Sequence, residues 1–460
     1  MTDVLGLLAD ATAPERVLPG DVNDDYSHDE APAAEPQRPL AVVIPTTTAE
    51  VVAILRMANE HIIPVTARGS GAGVSGAAVP RADGIVVSFE RMRRIEIDEE
   101  NMVAVVQPGA TLTELDEVAA RHSLVYPVLP GEHGASIGGN IGTNAGGSRA
   151  VRYGVTRHNV LGLEMVLASG SVIRSGGKFV KISTGYDLTQ LIVGSEGTLA
   201  LVTEATLRLY PRPRHQSTVL APFLGLAGLM QAVPKIIATG IAVTTLEYID
   251  AWTMVCLEQE FDLRLGVPEN VRDWAQAYLV VVLEGQHADR LEAETQELAE
   301  HITRLGAIEV YVMPANAGRA LIEAREKAFW LGKREGAHDL VDVVVPRASI
   351  CDFMTAVDQI ADARSVEIGG CGHAGDGNIH LSIYKEDPDE RTVVMREVLE
   401  AGLALGGAIS GEHGIGTVKK GHFQALEDPD KLELLRRIKT VFDPNGILNR
   451  GVIFDWSPAA

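Results

Sequence analysis

The sequence predicts an α+β protein with a mixed strand-and-helix first domain, a second domain of one sheet covered by helices, and a short C-terminal segment that packs back on the first. Three observations lead there. Strand-like and helix-like patterns alternate between residues 40 and 210, two glycine-rich loops interrupt that alternation, and Pro211-Arg212-Pro213-Arg214 breaks a strand pattern before a new alternation begins. At 460 residues the chain is too long for one core. We therefore divide it at 1–214, 215–410 and 411–460.

The elements follow in order. Residues 1–40 include Asp21-Val22-Asn23-Asp24-Asp25 and an Ala/Pro-rich run from Ala31 to Pro39, so this arm is expected to be extended and irregular. Val42-Val43-Ile44 reads as a strand, and Thr47 or Thr48 caps a helix with Val51, Val52, Ile54, Leu55 and Ala58 on one face. Ile63-Pro64-Val65-Thr66 is a strand leading into the first glycine loop. Strand-like runs at 84–89, 94–97 and 102–107 precede Pro108-Gly109, which turns the chain into a helix near 112–122. Beyond the second glycine loop, runs at 160–167 and 172–174 carry a hairpin signal, 185–193 a short helix, and a strand ends at Tyr210. In the second domain, helices at 224–239, 251–260, 289–305, 315–335, 350–363 and 387–405 alternate with strands at 242–249, 278–284, 309–312, 341–345, 366–371 and 379–384. One helix-covered sheet accommodates them. A last helix at 429–442 runs into Asp443-Pro444-Asn445-Gly446-Ile447-Leu448-Asn449, whose apolar residues are anchors for the return.

Composition excludes several classes of function. The net charge of −22, with no basic stripe, argues against a nucleic-acid surface. The three cysteines, Cys256, Cys351 and Cys371, have no spacing that holds zinc or an iron–sulfur cluster and fit a reducing cytosol. Asp3, Asp10, Glu15 and Arg16 interrupt the N-terminal stretch, which is then neither a signal peptide nor a membrane span. A cytoplasmic location is expected.

The glycine loops carry the first functional signal. Between Gly131 and Gly147 there are seven glycines, interleaved with Ser, Thr and Asn and anchored by Ile137 and Ile141. Such backbone presents N–H groups to something flat or anionic. A second loop, Arg68-Gly69-Ser70-Gly71-Ala72-Gly73-Val74-Ser75-Gly76, lies upstream, and the pair could clasp one large phosphate-bearing cofactor. Neither loop follows the strand, Gly-x-Gly-x-x-Gly and helix order of NAD enzymes.

The second signal is a set of imidazoles. Gly372-His373-Ala374-Gly375-Asp376-Gly377-Asn378-Ile379-His380 joins two strands and places two histidines seven residues apart around a glycine turn, while Ser410-Gly411-Glu412-His413-Gly414 sets a carboxylate beside a third. These residues suit either a metal site of two His and one carboxylate with a separate base, or polar histidines satisfied within loops.

Taken together, Pro45-Thr46-Thr47 to Ala58, both glycine loops, Gly185-Tyr186-Asp187-Leu188, Gly194-Ser195-Glu196-Gly197-Thr198-Leu199 and Phe442 to Asn449 resemble the FAD-linked oxidase superfamily typified by vanillyl-alcohol oxidase. Within it, Gly372 to His380 and Ser410 to Gly416 resemble the branch of D-lactate dehydrogenase, the flavin subunit of glycolate oxidase and D-2-hydroxyglutarate dehydrogenase. The resemblance runs from about residue 40 to the end of the chain. It implies a PCMH-type FAD-binding domain of two α/β subdomains and an antiparallel-sheet substrate (cap) domain. FAD contacts would come from Arg68, Gly69, Ser70, Gly71, Ala72, Gly73 and Ser75 in the first loop and from Pro130, Gly131, Ser136, Gly139, Asn140, Gly142, Thr143, Asn144 and Gly146 in the second. Glu196, Gly197 and Asn449 would complete the set. His373, His380 and Glu412 would hold a divalent ion, zinc or manganese, and His413 would be the base.

The resemblance also carries departures. Ala72 stands where covalently flavinylated relatives place a His, so FAD is expected to be non-covalent. Arg325 aligns with the substrate-binding Arg of the hydroxyglutarate enzymes, with Arg347 and Arg334 as weaker candidates. Leu340 and Phe329 fall where those enzymes carry a Lys and a Thr, which costs a second carboxylate about 2 kcal/mol or more. The expected activity is oxidation of D-lactate, glycolate or a larger apolar 2-hydroxy acid, with an external acceptor such as an electron-transfer flavoprotein, a quinone or a cytochrome. A D-2-hydroxyglutarate dehydrogenase, another FAD-linked alcohol oxidase and a flavin subunit of a larger electron-transfer complex are the alternatives. A homodimer is compatible with the sequence, which leaves the oligomeric state open.

Overall fold

The computed structural model describes residues 4–455; residues 1–3 and 456–460, the outer ends of the first and last predicted segments, lie outside the described residues. In the first unit, Ala41–Val43, Ile85–Ser88 and Val65–Arg68 pair in parallel, with Val17–Pro19 added antiparallel at the edge. These short apolar runs are buried, so they need cover. The helix Thr48–Glu60 supplies it, its N-terminus capped by Thr47 Oγ1, which accepts from the Glu50 N–H at 3.3 Å.

A second, antiparallel sheet runs in the order Ile95–Asp98, Val103–Val106, Leu201–Arg208, Val160–Val166, Val172–Gly176. Leu201–Arg208 alternates buried and half-buried residues, as a strand with one face on a core must. The helix Leu112–Ala120 packs on that core behind a capping box of Thr111 and Glu114.

The N-terminal arm departs from the expected irregular chain. It contains the helix Val4–Ala11, whose Leu8 is fully buried against the first core, and the edge strand Val17–Pro19. The pairing of Val17 with Val43 is a tertiary contact, invisible to local pattern.

From His215 onward the chain builds one seven-stranded antiparallel sheet, ordered Tyr311–Val312, His215–Phe223, Ala277–Gly285, Val243–Asp250, Glu367–His373, Asn378–Tyr384, Asp339–Val344. One face packs on the helices Leu226–Ala238, Ala288–Arg304, Ile350–Arg364 and Pro388–Ala404. The other meets the helices Ala251–Glu260 and Ala315–Glu326 at one end and is left to the functional site at the other. The single helix expected over 315–335 divides at Lys327 (φ −89°, ψ 3°) into Ala315–Glu326 and Ala328–Arg334. That break carries Phe329 and Trp330 to the rim of a cavity.

The chain ends against the first unit. Lys439, in the helix Pro429–Phe442, is 3% exposed and donates to the carbonyls of Thr198 and Leu448 at 2.7 Å and to Asp443 Oδ2 at 2.5 Å. Leu448 then forms a parallel bridge with Val65. No helix among the described residues is long and apolar enough to cross a membrane.

Candidate functional site

The two glycine loops meet through their serines. Ser136 N–H donates to Ser70 Oγ at 3.2 Å, and Ser70 N–H donates to Ser136 Oγ at 3.3 Å. Ser136 also caps the short helix Ile137–Thr143, accepting from the Gly139 N–H at 3.2 Å, so part of what reads as loop is helical. A Cβ on Gly69 would fall onto Ser136 Oγ, which is why the close approach requires glycine.

Between the loops lies a cavity of about 250 Å³. All eight residues from Arg68 to Ser75 line it, as do Pro130, Gly131, Ser136, Gly139, Asn140, Gly142, Thr143, Glu196, Gly197 and Asn449. Buried polar atoms on this wall, Ser75 Oγ and Asn140 Nδ2, have no hydrogen-bond partner among the described residues. An elongated ligand with acceptor atoms and a flat ring system, as FAD is, fits this cradle. Three predicted contacts serve the walls as well. Asn449 Nδ2 donates to the carbonyls of Glu196 and Ala77 at 2.6 and 3.0 Å, and Arg68 Nη1 donates to the His28 carbonyl at 2.6 Å. Glu196 accepts from the N–H groups of Ile415 and Gly416 at 2.9 and 2.8 Å.

Burial pushes the Glu196 carboxyl up to about 7 despite those two donors. A carboxyl raised in the folded state contributes stability that is full below its unfolded pKa and is lost as pH rises through the folded value. Between pH 5 and 8 this amounts to about 2.5 kcal/mol. Glu196→Gln is therefore expected to flatten the fall in Tm over that range; thermal unfolding at stepped pH with an unchanged slope would contradict the assignment.

The imidazoles converge because the predicted loop is a hairpin. His373 pairs with Asn378 and Cys371 with His380, so His373 and His380 are diagonal neighbours on one face, and Asp342 stands opposite His380 on the next strand. Glu412 Oε1 lies 3.4 Å from His373 Nε2 and 3.2 Å from His380 Nε2. Candidate ligand atoms of His373, His380 and Glu412 all lie within 4.8 Å of one another, and those of Asp342, His380 and His413 form an overlapping group. One buried and one partly buried imidazole with a partly buried carboxylate, and neither His380 ring nitrogen hydrogen-bonded among the described residues, make a donor set that suits a divalent ion.

Two carboxylates that the sequence reading passed over support this cluster. Glu247 Oε1 is 2.6 Å from His373 Nδ1, and its Oε2 is 2.7 Å from Arg325 Nη2. Asp342 Oδ2 accepts from Ser410 Oγ at 2.7 Å and from the N–H groups of Gly411, Glu412 and His413 at 3.1, 3.0 and 2.8 Å, which fixes the loop that presents Glu412 and His413. Each is fully buried, Glu247 between Leu246 and Tyr248 and Asp342 between Val341 and Val343, and a charge flanked by such residues within a strand was the available signal.

The electrostatics follow from these contacts. Burial alone would raise Glu412, but His373 and His380 hold it well below the usual carboxylate range. Burial would likewise lower His373, and Glu247 with Glu412 drives it well above its ordinary value. Burial takes His413 down to about 4, with Asp342 opposing. Its ring stacks on His380 at 5.1 Å.

Arg325 is 8% exposed and lines a second cavity of about 110 Å³, which shares Pro130, Gly131, Glu326, Phe329, Glu412 and His413 with the larger one. Three predicted contacts lie elsewhere. Arg347 is exposed in the turn Arg347–Ser349 after Pro346 and lines neither cavity. Asn144 is the left-handed C-cap of Ile137–Thr143, its Oδ1 accepting from the Arg157 N–H at 2.9 Å, and Gly146 makes room for Glu412, whose Oε2 a Cβ would approach to 2.5 Å. Asp376 accepts from the Asn378 N–H at 3.1 Å within the turn.

Residues 39–176 match the FAD binding domain family, and residues 212–453 match the family described as FAD linked oxidases, C-terminal domain. An uncharacterized FAD-linked oxidoreductase of Mycobacterium tuberculosis is 51% identical over 99% of both chains. A D-lactate dehydrogenase of Archaeoglobus fulgidus is 38% identical over 94% of this chain and 96% of its own. Among solved structures, p-cresol methylhydroxylase with bound substrate superimposes with a TM-score of 0.80 at 18% identity, over 98% of this chain and 96% of that one, and so shares the PCMH-type fold. With an FAD cradle between its glycine loops and family matches over residues 39–176 and 212–453, the chain belongs to the FAD-linked oxidases, a family of FAD-binding oxidoreductases.

Proposed function

We propose that this protein is a metal-assisted dehydrogenase that oxidises a D-2-hydroxy acid with a single carboxylate, of the lactate and glycolate type, to the 2-oxo acid and passes the electrons to an external acceptor. Residues 1–214 bind FAD non-covalently, 215–410 bind substrate, and 411–460 return to the flavin unit. The observation that carries the reading is the placement of Glu412 and His413 on both cavities, beside His373, His380 and Arg325.

Bound FAD supplies a hydride acceptor at N5. A divalent ion, zinc or manganese, on His373, His380 and Glu412 would acidify the substrate hydroxyl; for water on zinc the fall from about 15.7 to about 7 is worth roughly 12 kcal/mol. Arg325, whose buried Nε has no hydrogen-bond partner among the described residues and whose Nη2 lies 2.7 Å from Glu247 Oε2, receives the substrate carboxylate. His413 takes the hydroxyl proton. Its Nδ1 lies toward Asp342 Oδ2 at 3.9 Å, and its lowered pKa keeps the ring neutral at pH 7. The Cα hydride then completes a two-electron oxidation.

Glu247 orients this machinery through His373 and Arg325. Glu247→Gln is expected to weaken metal affinity about 10- to 100-fold in a metal-buffered titration; unchanged affinity would contradict that role. The reading itself is tested with the purified protein, a dye acceptor and paired D- and L-2-hydroxy acids. D-specific dye reduction with little oxygen uptake is expected, and a preference for L-acids or oxygen-dependent peroxide formation would overturn it.

A further inference from the structure

We infer that the substrate carries a branched aliphatic side chain on C2, larger than the methyl of lactate, seated in the cavity that runs from His380 toward Tyr384. This rests on the reading of the site as that of a D-2-hydroxy-acid dehydrogenase and specifies its substrate.

The argument begins with sheet register. His380, Ser382 and Tyr384 alternate onto the site face of their strand; Asp342 and Leu340 stand opposite His380 and Ser382 on one side, and Cys371 and Gly369 stand opposite them on the other. Moving away from the cluster, the face therefore changes from charged carboxylate and imidazole to the uncharged Leu340, Cys371, Gly369, Ser382 and Tyr384. His380 to Tyr384 spans about 13 Å along the strand. Glycolate has no group to enter that space, and lactate has only a methyl.

The helix Ala328–Arg334 forms the facing wall with Phe329 and Leu331. It lies close because Gly332 has no side chain: a Cβ there would come within 2.6 Å of Ser382 Oγ. Trp252 closes the far end, its ring edge-on to Tyr384 at 5.8 Å. The space of about 110 Å³, which includes the end that takes the carboxylate and hydroxyl, is smaller than the ~150 Å³ apolar cavity that takes a benzene, so a short branched chain suits the remainder better than an aromatic ring.

Charge selects in the same direction. Among the described residues that line this cavity, Arg325 is the one lysine or arginine, and Glu247 and the substrate's own carboxylate engage it. A second carboxylate at the far end would meet Leu340, Trp252 and Tyr384 with no cation.

The test uses the FAD- and metal-loaded protein under anaerobic conditions, following flavin reduction by glycolate, D-lactate, D-2-hydroxy-4-methylpentanoate and D-2-hydroxyglutarate. The reduction rate constant divided by Kd should rise about fourfold per added methylene, on the order of 50-fold from D-lactate to the methylpentanoate, with D-2-hydroxyglutarate below both. Equal or better reduction by glycolate or D-lactate, or a preference for D-2-hydroxyglutarate, would overturn the inference. Binding of the matching 2-oxo acids, followed through the flavin absorption band, separates the two claims. If no hydroxy acid reduces the flavin yet 4-methyl-2-oxopentanoate binds well above pyruvate, the dehydrogenase reading fails and the pocket stands; if pyruvate binds as tightly, the pocket fails. Trp252→Ala, at a half-exposed position that folding tolerates, should narrow the methylpentanoate-to-lactate ratio about tenfold, and an unchanged ratio would remove Trp252 and the far end from the pocket.

Discussion

His413→Asn is expected to slow flavin reduction by a D-2-hydroxy acid about 10²- to 10⁴-fold while FAD and metal contents stay at wild-type levels. The side chain that takes the hydroxyl proton is lost, but the residues that hold the cofactor are untouched. The loop should keep its shape, since the His413 N–H, not its ring, is what Asp342 accepts at 2.8 Å. Rapid-reaction absorbance with parallel metal analysis separates the outcomes. A wild-type rate would remove His413 from proton transfer; a loss of metal with the rate would make it a ligand, as its place in the overlapping group with Asp342 and His380 allows.

Glu412→Gln should cost more than affinity alone. Glu412 is the carboxylate between His373 and His380, and its charge is held in the buried cluster by both rings. Without that charge the two imidazoles face each other with one anionic partner fewer, and a divalent ion loses its only carboxylate ligand in that set. Metal content by mass spectrometry should fall well below stoichiometric, and flavin reduction should drop on the order of 10³-fold. Full metal occupancy in this variant would place the ion elsewhere, the group of Asp342, His380 and His413 being the next choice.

Much of the site was legible because its residues are joined by short-range geometry. Two histidines flanking a glycine turn between strands come close once the hairpin forms, and in the register that pairs Cys371 with His380 they share a face. The glycine loops were legible as a cradle because glycine marks close backbone approach. What escaped depends on which strands become neighbours. Glu247 reaches His373 because Val243–Asp250 pairs with Glu367–His373, and Asp342 reaches the 410–413 loop because Asp339–Val344 ends the sheet beside it. Nothing local announces either adjacency.

Two elements were misread for related reasons. Ile137–Thr143 is helical despite three glycines, because Ser136 caps it and Ile137 and Ile141 are buried, so tertiary contacts outweigh propensity. The break at Lys327 has neither proline nor glycine to mark it, and the apolar periodicity runs straight through. Arg325 and Phe329, on either side of that break, still reach the smaller cavity together.

The most direct test is anaerobic bleaching of the bound flavin by a panel of D- and L-2-hydroxy acids, run on the native protein, after chelation and again after metal is restored. The account predicts rapid bleaching by D-acids only, lost on chelation and regained with zinc or manganese. Persistent bleaching after the metal is gone, or none with any acid while FAD and metal are bound, would contradict it.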